Sequence, residues 1–261
     1  VGPHFDQYDV FLIQGLGRRR WQIGPLCDGD TPLLPHEDLK LLAEFTATDE
    51  WVLEPGDILY VPPGFAHNGV AVGSDCMTYS VGFRAPSRSD LLGHFVDDIL
   101  DGIPDDELYR DPDLARQANP GEILPDALVR LQQMMLESLS DPASFARWFG
   151  TFNSTPKYAD MDWQPETPVE PEDVRASIND AVPLLRNPAS RMIFIANGDD
   201  ALMLFADGIC FDCVGETAAV AKILCAQDSV ILDAALASAP AVVDLLTQLC
   251  NMGCIAFESE E

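Results

Sequence analysis

Three side chains in the first quarter of the chain have types and spacing that could bind a metal. His4 and Asp6 stand two apart in Gly2-Pro3-His4-Phe5-Asp6-Gln7-Tyr8-Asp9, ahead of the apolar run Val10-Phe11-Leu12-Ile13. Read as one strand reaching Ile13, side chains alternate, so the imidazole and the carboxylate project from the same face. That pair is two thirds of a 2-His-1-carboxylate site. Taken alone, it is better read as a histidine bonded to a near neighbour, since such triplets arise by chance. A third donor follows in Pro55-Gly56-Asp57-Ile58-Leu59-Tyr60-Val61-Pro62-Pro63-Gly64-Phe65-Ala66-His67, where a turn and a short apolar strand lead through a Pro-Pro-Gly break to one histidine. Neutral imidazoles and an ionised aspartate bind a divalent ion at neutral pH. Such a set suits Fe(II) with open positions on one side.

A fourth side chain carries charge. In Arg18-Arg19-Arg20-Trp21-Gln22-Ile23, strand alternation puts Arg19 on the face of Trp21 and Ile23, which read as interior. An interior guanidinium needs a carboxylate, because an unpaired charge there is costly. Its planar fork suits a bidentate grip. Taken alone, the stretch reads as an internal salt bridge to Asp or Glu or as a solvated basic loop; beside a metal site, a bound dicarboxylate is the better partner.

These residues resemble a known family. His4-x-Asp6, Arg19 within Gly15-x-Gly17-Arg18-Arg19-Arg20-Trp21, and Pro55-Gly56-Asp57 leading to His67 are similar to the JmjC-type 2-oxoglutarate oxygenases. The run Gly2-Pro3-His4-x-Asp6-Gln7-Tyr8-Asp9-Val10-Phe11 with Gln14-Gly15 resembles their ribosomal oxygenase branch, the bacterial ycfD-like arginine hydroxylases of a large-subunit ribosomal protein. The resemblance implies Fe(II) held by His4, Asp6 and His67, with 2-oxoglutarate gripped at its far carboxylate by Arg19 and O2 as oxidant. The implied products are succinate, carbon dioxide and a hydroxylated arginine. Rival readings are a histidyl hydroxylase of another ribosomal protein, a non-oxidative cupin-like metal protein, and a catalytically silent dimeric scaffold.

The elements that must position these residues are strands over 1–85, and the resemblance implies a mainly β, jelly-roll or cupin-like catalytic domain (a double-stranded β-helix). The family carries strands ahead of its metal motif, so strands preceding His4 are expected to be missing. Asp38–Ala43 reads as a turn or insertion. Cys76–Arg84 alternates and should pair back beside His67; Thr78 and Ser80 could reach the pocket, but the sequence does not fix which face they take. Tyr8, Trp21 and Phe83 are candidate wall residues, though core packing suits Trp21 and Phe83 better. Composition then shifts. Helices are predicted at Asp90–Leu100, Pro125–Leu136 and Asp141–Gly150, the first with the apolar stripe Leu91, Leu92, Phe95, Val96, Ile99 and Leu100 and with His94 facing solvent. In the related family such a region, here 86–155, dimerises. A proline-rich linker spans 156–172. Residues 173–261 read as a helix near Pro171–Ala181, a hairpin of Arg191–Ala196 and Ala201–Ala206 about Asn197-Gly198-Asp199-Asp200, helices at Glu216–Ala226 and Ala239–Met252, and a strand at Cys254–Phe257. This α+β tail resembles the winged-helix module that ends the family.

Composition limits the partners. The 261 residues carry 43 Asp and Glu against 15 Lys and Arg, a net charge of −28. Phosphates would be repelled, so direct nucleic-acid binding is not expected, whereas a basic ribosomal protein is a fitting partner. Acidity for solubility is the competing explanation. No apolar run approaches the ~20 residues needed to span a bilayer. Seven cysteines, an odd number, read as free thiols of a cytoplasmic protein. Cys210 and Cys213 have C-x2-C spacing, and Cys250 with Cys254 could complete a zinc site, but small buried thiols are the preferred reading.

Overall fold

The computed structural model describes residues 2–36, 40–103, 108–112, 116–157, 161–237 and 239–258. The chain divides into two compact units, Val1–Leu91 and Leu92–Glu261.

The first unit is built on one strand. β1 (Asp9–Leu26) pairs antiparallel with β2 (Asp49–Leu53) along its second half and with β3 (Ile58–Val61) along its first half. Its other edge pairs with β4 (Phe65–Phe83) over nearly the whole length, giving an open four-stranded sheet. The register slips between Gln14 and Leu16 and again between Gly17 and Arg18. Such bulges shift which residues face inward. Val10, Leu12 and Gln14 are buried before the slip, and Trp21 after it, so even-numbered and odd-numbered residues share one inner face. The small core of this unit is Val10, Leu12, Trp21, Leu53 and Val61.

Three sequence expectations change here. Residues 2–8 are not the beginning of the strand that holds Ile13. His4 makes isolated bridges to Leu41 and His67, and a bend at Gln7 and Tyr8 separates it from β1. Cys76–Phe83 is not a separate strand beside His67 but the far half of β4, because the β1 bulges let the two strands stay paired. Phe83 is neither wall nor core. It is 60% exposed on the outer face, edge-on to Phe11. Of the Asp38–Ala43 segment, Asp38 and Leu39 lie outside the described residues, while Leu41 and Leu42 form bridges.

In the second part of the chain, α1 (Arg88–Gly102), α2 (Pro125–Leu139) and α3 (Pro142–Ser154) follow in order. Asp141 caps α3 by accepting from the Ala143 and Ser144 amides, which satisfies donors the first turn leaves free. These bonds hold its carboxyl below the usual range, the Ser144 hydroxyl contributing most. Phe95 of α1 meets Phe145 and Trp148 of α3 in an aromatic cluster. His94 is exposed, with its ring 5.0 Å from that of Phe152. α2 buries none of its residues.

The remaining elements are α4 (Pro171–Asn179), β5 (Leu184–Arg186), β6 (Met192–Ala196), β7 (Ala201–Ala206), β8 (Ile209–Val214), α5 (Glu216–Ala226), β9 (Ser229–Val230), α6 (Ala234–Ala237), α7 (Pro240–Asn251) and β10 (Ile255–Phe257). They form two antiparallel sheets, β6-β7-β8 and β10-β5-β9. α3 packs on the first of these. A contiguous core joins Leu204 of β7, Val220 and Leu224 of α5, and Leu246 and Leu249 of α7, all essentially inaccessible. Each such leucine contributes about 1.5–3 kcal/mol of burial.

β8 was not expected from the sequence. It places Cys210 and Cys213 three residues apart on a strand, hence on opposite faces, with only Cys213 buried. All seven thiols are free. Burial pushes the thiols of Cys250 and Cys254 up to about 12, as suits small core residues.

Candidate metal centre

His4, Asp6 and His67 come together although 60 residues separate the first two from the third, and backbone pairing does it. The His4 amide donates to the His67 carbonyl at 3.1 Å, and the His67 amide donates to the His4 carbonyl at 2.8 Å. The Gly64 amide donates to the Asp6 carbonyl at 2.7 Å. The short segment carrying His-x-Asp is thereby laid against the start of β4. The two-residue spacing of His4 and Asp6 delivers both side chains to one cluster.

The imidazoles are oriented as well as placed. His4 Nδ1 lies 2.9 Å from the Gly2 carbonyl, and His67 Nδ1 lies 3.0 Å from the Phe65 carbonyl. A carbonyl only accepts, so in each neutral imidazole Nδ1 carries the proton and Nε2 offers the lone pair. Those lone pairs are on the Asp6 side, with Oδ2 at 4.0 Å from His4 Nε2 and 3.8 Å from His67 Nε2. One ligand atom from each residue falls within 4.8 Å of the others, the one such grouping of three among the described residues. Burial lowers the pKa of His67, and His4 pushes the same way, against the Phe65 carbonyl and Asp6. The buried ring is therefore held neutral. This donor set fits a divalent ion of the kind that takes nitrogen and carboxylate oxygen together.

A cavity of about 200 Å³ opens on this cluster. Val10 and Leu12 of β1 line it, and so do Arg19, Trp21, Thr78 and Ser80. The sequence left the direction of Thr78 and Ser80 open, and the cavity is where they point. Trp21 lines it while also being core, whereas Tyr8 packs against the core cluster beneath the Arg84 guanidinium.

Arg19 donates from Nη2 to the Gly69 carbonyl at 3.0 Å and lies 5.0 Å over the Trp21 ring. Its Nε is buried without a partner. Among the described residues no carboxylate pairs with it. The internal salt bridge that the sequence allowed is absent from this set, and a part-buried guanidinium is left beside the cavity.

Two contributors were not anticipated. Gly69 shares His67's face, two residues on, and a Cβ there would lie 2.6 Å from both Arg19 Nε and the Trp21 ring. The bare backbone is what admits the guanidinium; strand alternation from His67 was the available signal. Gln14, 1% exposed, donates to the Leu16 and Gly17 carbonyls at 2.7 and 3.2 Å and accepts from Thr78 Oγ1 at 2.7 Å. It ties the bulge of β1 to the cavity wall. No local pattern announces a glutamine whose partners are set by a bulge.

A His-x-Asp segment bridged to β4 of a four-stranded sheet, beside an arginine with no carboxylate partner among the described residues, suits the JmjC resemblance, and the relatives of this chain agree with it. The family model described as JmjC domain matches residues 1–91, and that described as ROXA-like winged helix matches 137–256. The chain is 41% identical over 208 residues to the ribosomal protein uL16 3-hydroxylase of Escherichia coli, covering 80% of this chain and 54% of that protein. The X-ray structure of E. coli ycfD superposes with a TM-score of 0.84 at 36% identity, over 99% of this chain and 67% of that one. A structure of E. coli YcfD, titled a ribosomal oxygenase in complex with cobalt and 2-oxoglutarate, superposes at 0.79 with 36% identity, over 99% and 67%. This chain belongs to the JmjC-domain ribosomal oxygenase family. It spans about half the length of the E. coli hydroxylase.

Proposed function

We propose that the protein is an Fe(II)- and 2-oxoglutarate-dependent dioxygenase that hydroxylates an arginine side chain of a large-subunit ribosomal protein, uL16 being the one named for the E. coli relative. The observation that carries this reading is Arg19, a guanidinium with no carboxylate partner among the described residues, on the wall of the cavity that holds His4, Asp6 and His67. A dicarboxylate supplies the missing counter-charge.

In this reading His4 and His67 offer Nε2 and Asp6 offers a carboxylate oxygen, leaving the cavity side for 2-oxoglutarate and O2. A bound Fe(II) supplies the oxidative chemistry that couples decarboxylation of 2-oxoglutarate, to succinate and carbon dioxide, with C–H hydroxylation. The Gly2 and Phe65 carbonyls hold the imidazole tautomers, and the Arg19 fork fixes the far end of the cosubstrate by charge-assisted bonds. Val10, Leu12 and Trp21 give the pocket dry walls, which strengthen that ion pair and limit side reactions.

We assign catalysis to 1–85, homodimerisation to 86–155, a linker to 156–172 that is tied at Val169 to Asn251, and a winged-helix scaffold to 173–261. Uncovered apolar side chains support the dimer, with Val129 at 64% and Met135 at 67% exposed on α2. A net charge of −28 supports a basic protein as substrate in the cytoplasm and opposes direct nucleic-acid binding. In the described residues no helix is long and apolar enough to cross a membrane.

The test is succinate formation from 2-oxoglutarate with Fe(II), with and without uL16 peptides, followed by mass spectrometry. Succinate coupled to one oxygen added on arginine is the expected result. Oxygen on histidine would move the protein to a histidyl hydroxylase, and iron binding without turnover would leave the scaffold reading.

A further inference from the structure

The winged-helix unit has a groove that the oxygenase reading does not use. It measures about 660 Å³ and runs beside β10, lined by Trp163, Pro165, Val169, Leu185, Ala256 and Phe257. One wall is the segment the sequence marks as a linker, yet it is fastened down. The Val169 amide donates to Asn251 Oδ1 at 2.8 Å, and Asn251 Nδ2 donates to the Val169 carbonyl at 3.0 Å. Trp163 lies so close to Gly253, which has φ of 74°, that a Cβ there would meet its carbonyl oxygen at 2.1 Å. Trp163 keeps half its side chain exposed toward solvent. A tethered wall gives a pre-formed site, which costs a ligand little ordering.

Two further observations say what fits. β10 is an edge strand: it pairs with β5 on one side, and among the described residues no strand pairs with the other. An open edge beside apolar pockets takes an extended polypeptide, whose main chain bonds to the edge while alternate side chains enter the pockets. The chain around it is acidic: Asp173 lines the groove, Glu166 follows Pro165, Glu258 follows Phe257, and Glu170 and Glu172 flank the start of α4. The nearby cations are already engaged, Arg186 with Asp228 and the Cys225 carbonyl, Arg175 with Glu172 at 3.2 Å. An RNA strand would meet these carboxylates with like charge.

We infer that this groove docks an extended, Lys/Arg-rich polypeptide segment carrying a large apolar side chain, added alongside β10. The inference does not depend on the oxygenase reading.

The test is fluorescence anisotropy on the whole chain with a labelled peptide of alternating Lys and Val about a central Phe. Parallel arms use the same peptide with Glu for Lys, the same peptide with Ala for Phe, and a single-stranded RNA. The cationic Phe peptide should bind, and each of the other three should bind at least about tenfold more weakly. Trp163→Ala should weaken the cationic peptide about tenfold or more while Trp163→Phe retains most of the binding. The pair Glu166→Lys and Glu258→Lys should weaken it similarly and flatten its salt dependence. Thermal melts of each variant separate misfolding from lost contact. Equal binding of the anionic peptide, preference for RNA, or indifference to Trp163→Ala in a folded variant would overturn the inference. So would self-association that Trp163→Ala abolishes in a chain that ignores the peptide, since the occupant would then be a second copy.

Discussion

The two units solve opposite problems with the same chain chemistry. In the first, buried apolar mass is small, and the sheet's outer face leaves Ile58 and Phe83 60% exposed and Tyr79 55% exposed. What is well determined there is polar: paired backbone at His4 and His67, two Nδ1 atoms held by carbonyls, and Gln14 saturated by its neighbours. In the second, α4, α5, α7 and the small sheets share one dense apolar core, and its ionisable thiols are buried out of chemical use. The difference teaches that stability and chemistry are carried by separate residues here. A change at the His4–Asp6–His67 cluster should therefore leave the winged-helix core standing, and the reverse should also hold.

The largest effect expected from breaking that separation is at the cluster. Asp6→Ala or His67→Ala removes a donor outright, so Co(II) affinity read from its absorption spectrum should fall more than about a hundredfold, beyond what loss of an outer-shell partner causes. The melting of the second unit should not move. A shared shift in both readouts would refute the division. The converse variant is Leu246→Ala or Leu204→Ala, each inaccessible to solvent in the core. Either should cost about 2–5 kcal/mol in urea unfolding and leave Co(II) affinity unchanged under native conditions.

That division also explains how much the sequence revealed. The grouping of His4, Asp6 and His67 was legible because an i, i+2 spacing puts two donors on one side of an extended segment and a Pro-Pro-Gly break isolates the third, although the first two lie outside β1. The β6–β7 hairpin was legible because Asn197-Gly198 gives the positive φ, 93° at Gly198, that a tight turn needs. β5 and β9, of three and two residues, have too little pattern to read and exist because β10 and the core hold them. β8 was hidden because its two cysteines drew attention to metal spacing. Gln14 was hidden because its partners depend on a bulge, and the bulge is a property of two strands together.

A smaller effect would sharpen the role of Arg19. Arg19→Lys keeps the charge and loses the fork, so KM for 2-oxoglutarate should rise about tenfold while Co(II) affinity holds. Gly69→Ala acts on the same side chain from behind, because the added methyl must displace Arg19 and the Trp21 ring. It should mimic Arg19→Lys in KM. An unaltered KM in both variants would detach Arg19 from the cosubstrate.

The smallest effect is confined to the second unit and has a sign that follows from burial. Cys250 and Cys254 have thiols pushed from 9.0 up to about 12 by loss of solvent, and Cys225 to about 11. Between about pH 9 and these values the unfolded chain releases protons that the folded chain keeps. Stability in that window must then fall as pH rises, and below pH 9 the contribution is flat. Urea titrations of the Cys250→Ala and Cys254→Ala variants should show a shallower decline above pH 9 than the parent, even where the cavities lower stability at every pH. The same burial predicts that iodoacetamide at pH 8.5 labels the partly exposed Cys27 directly, whereas Cys250 and Cys254 are labelled only at the rate of unfolding. Fast labelling of Cys254 in the folded chain would mean that this core opens as readily as the exposed sheet of the first unit, and the contrast between the two units would be lost.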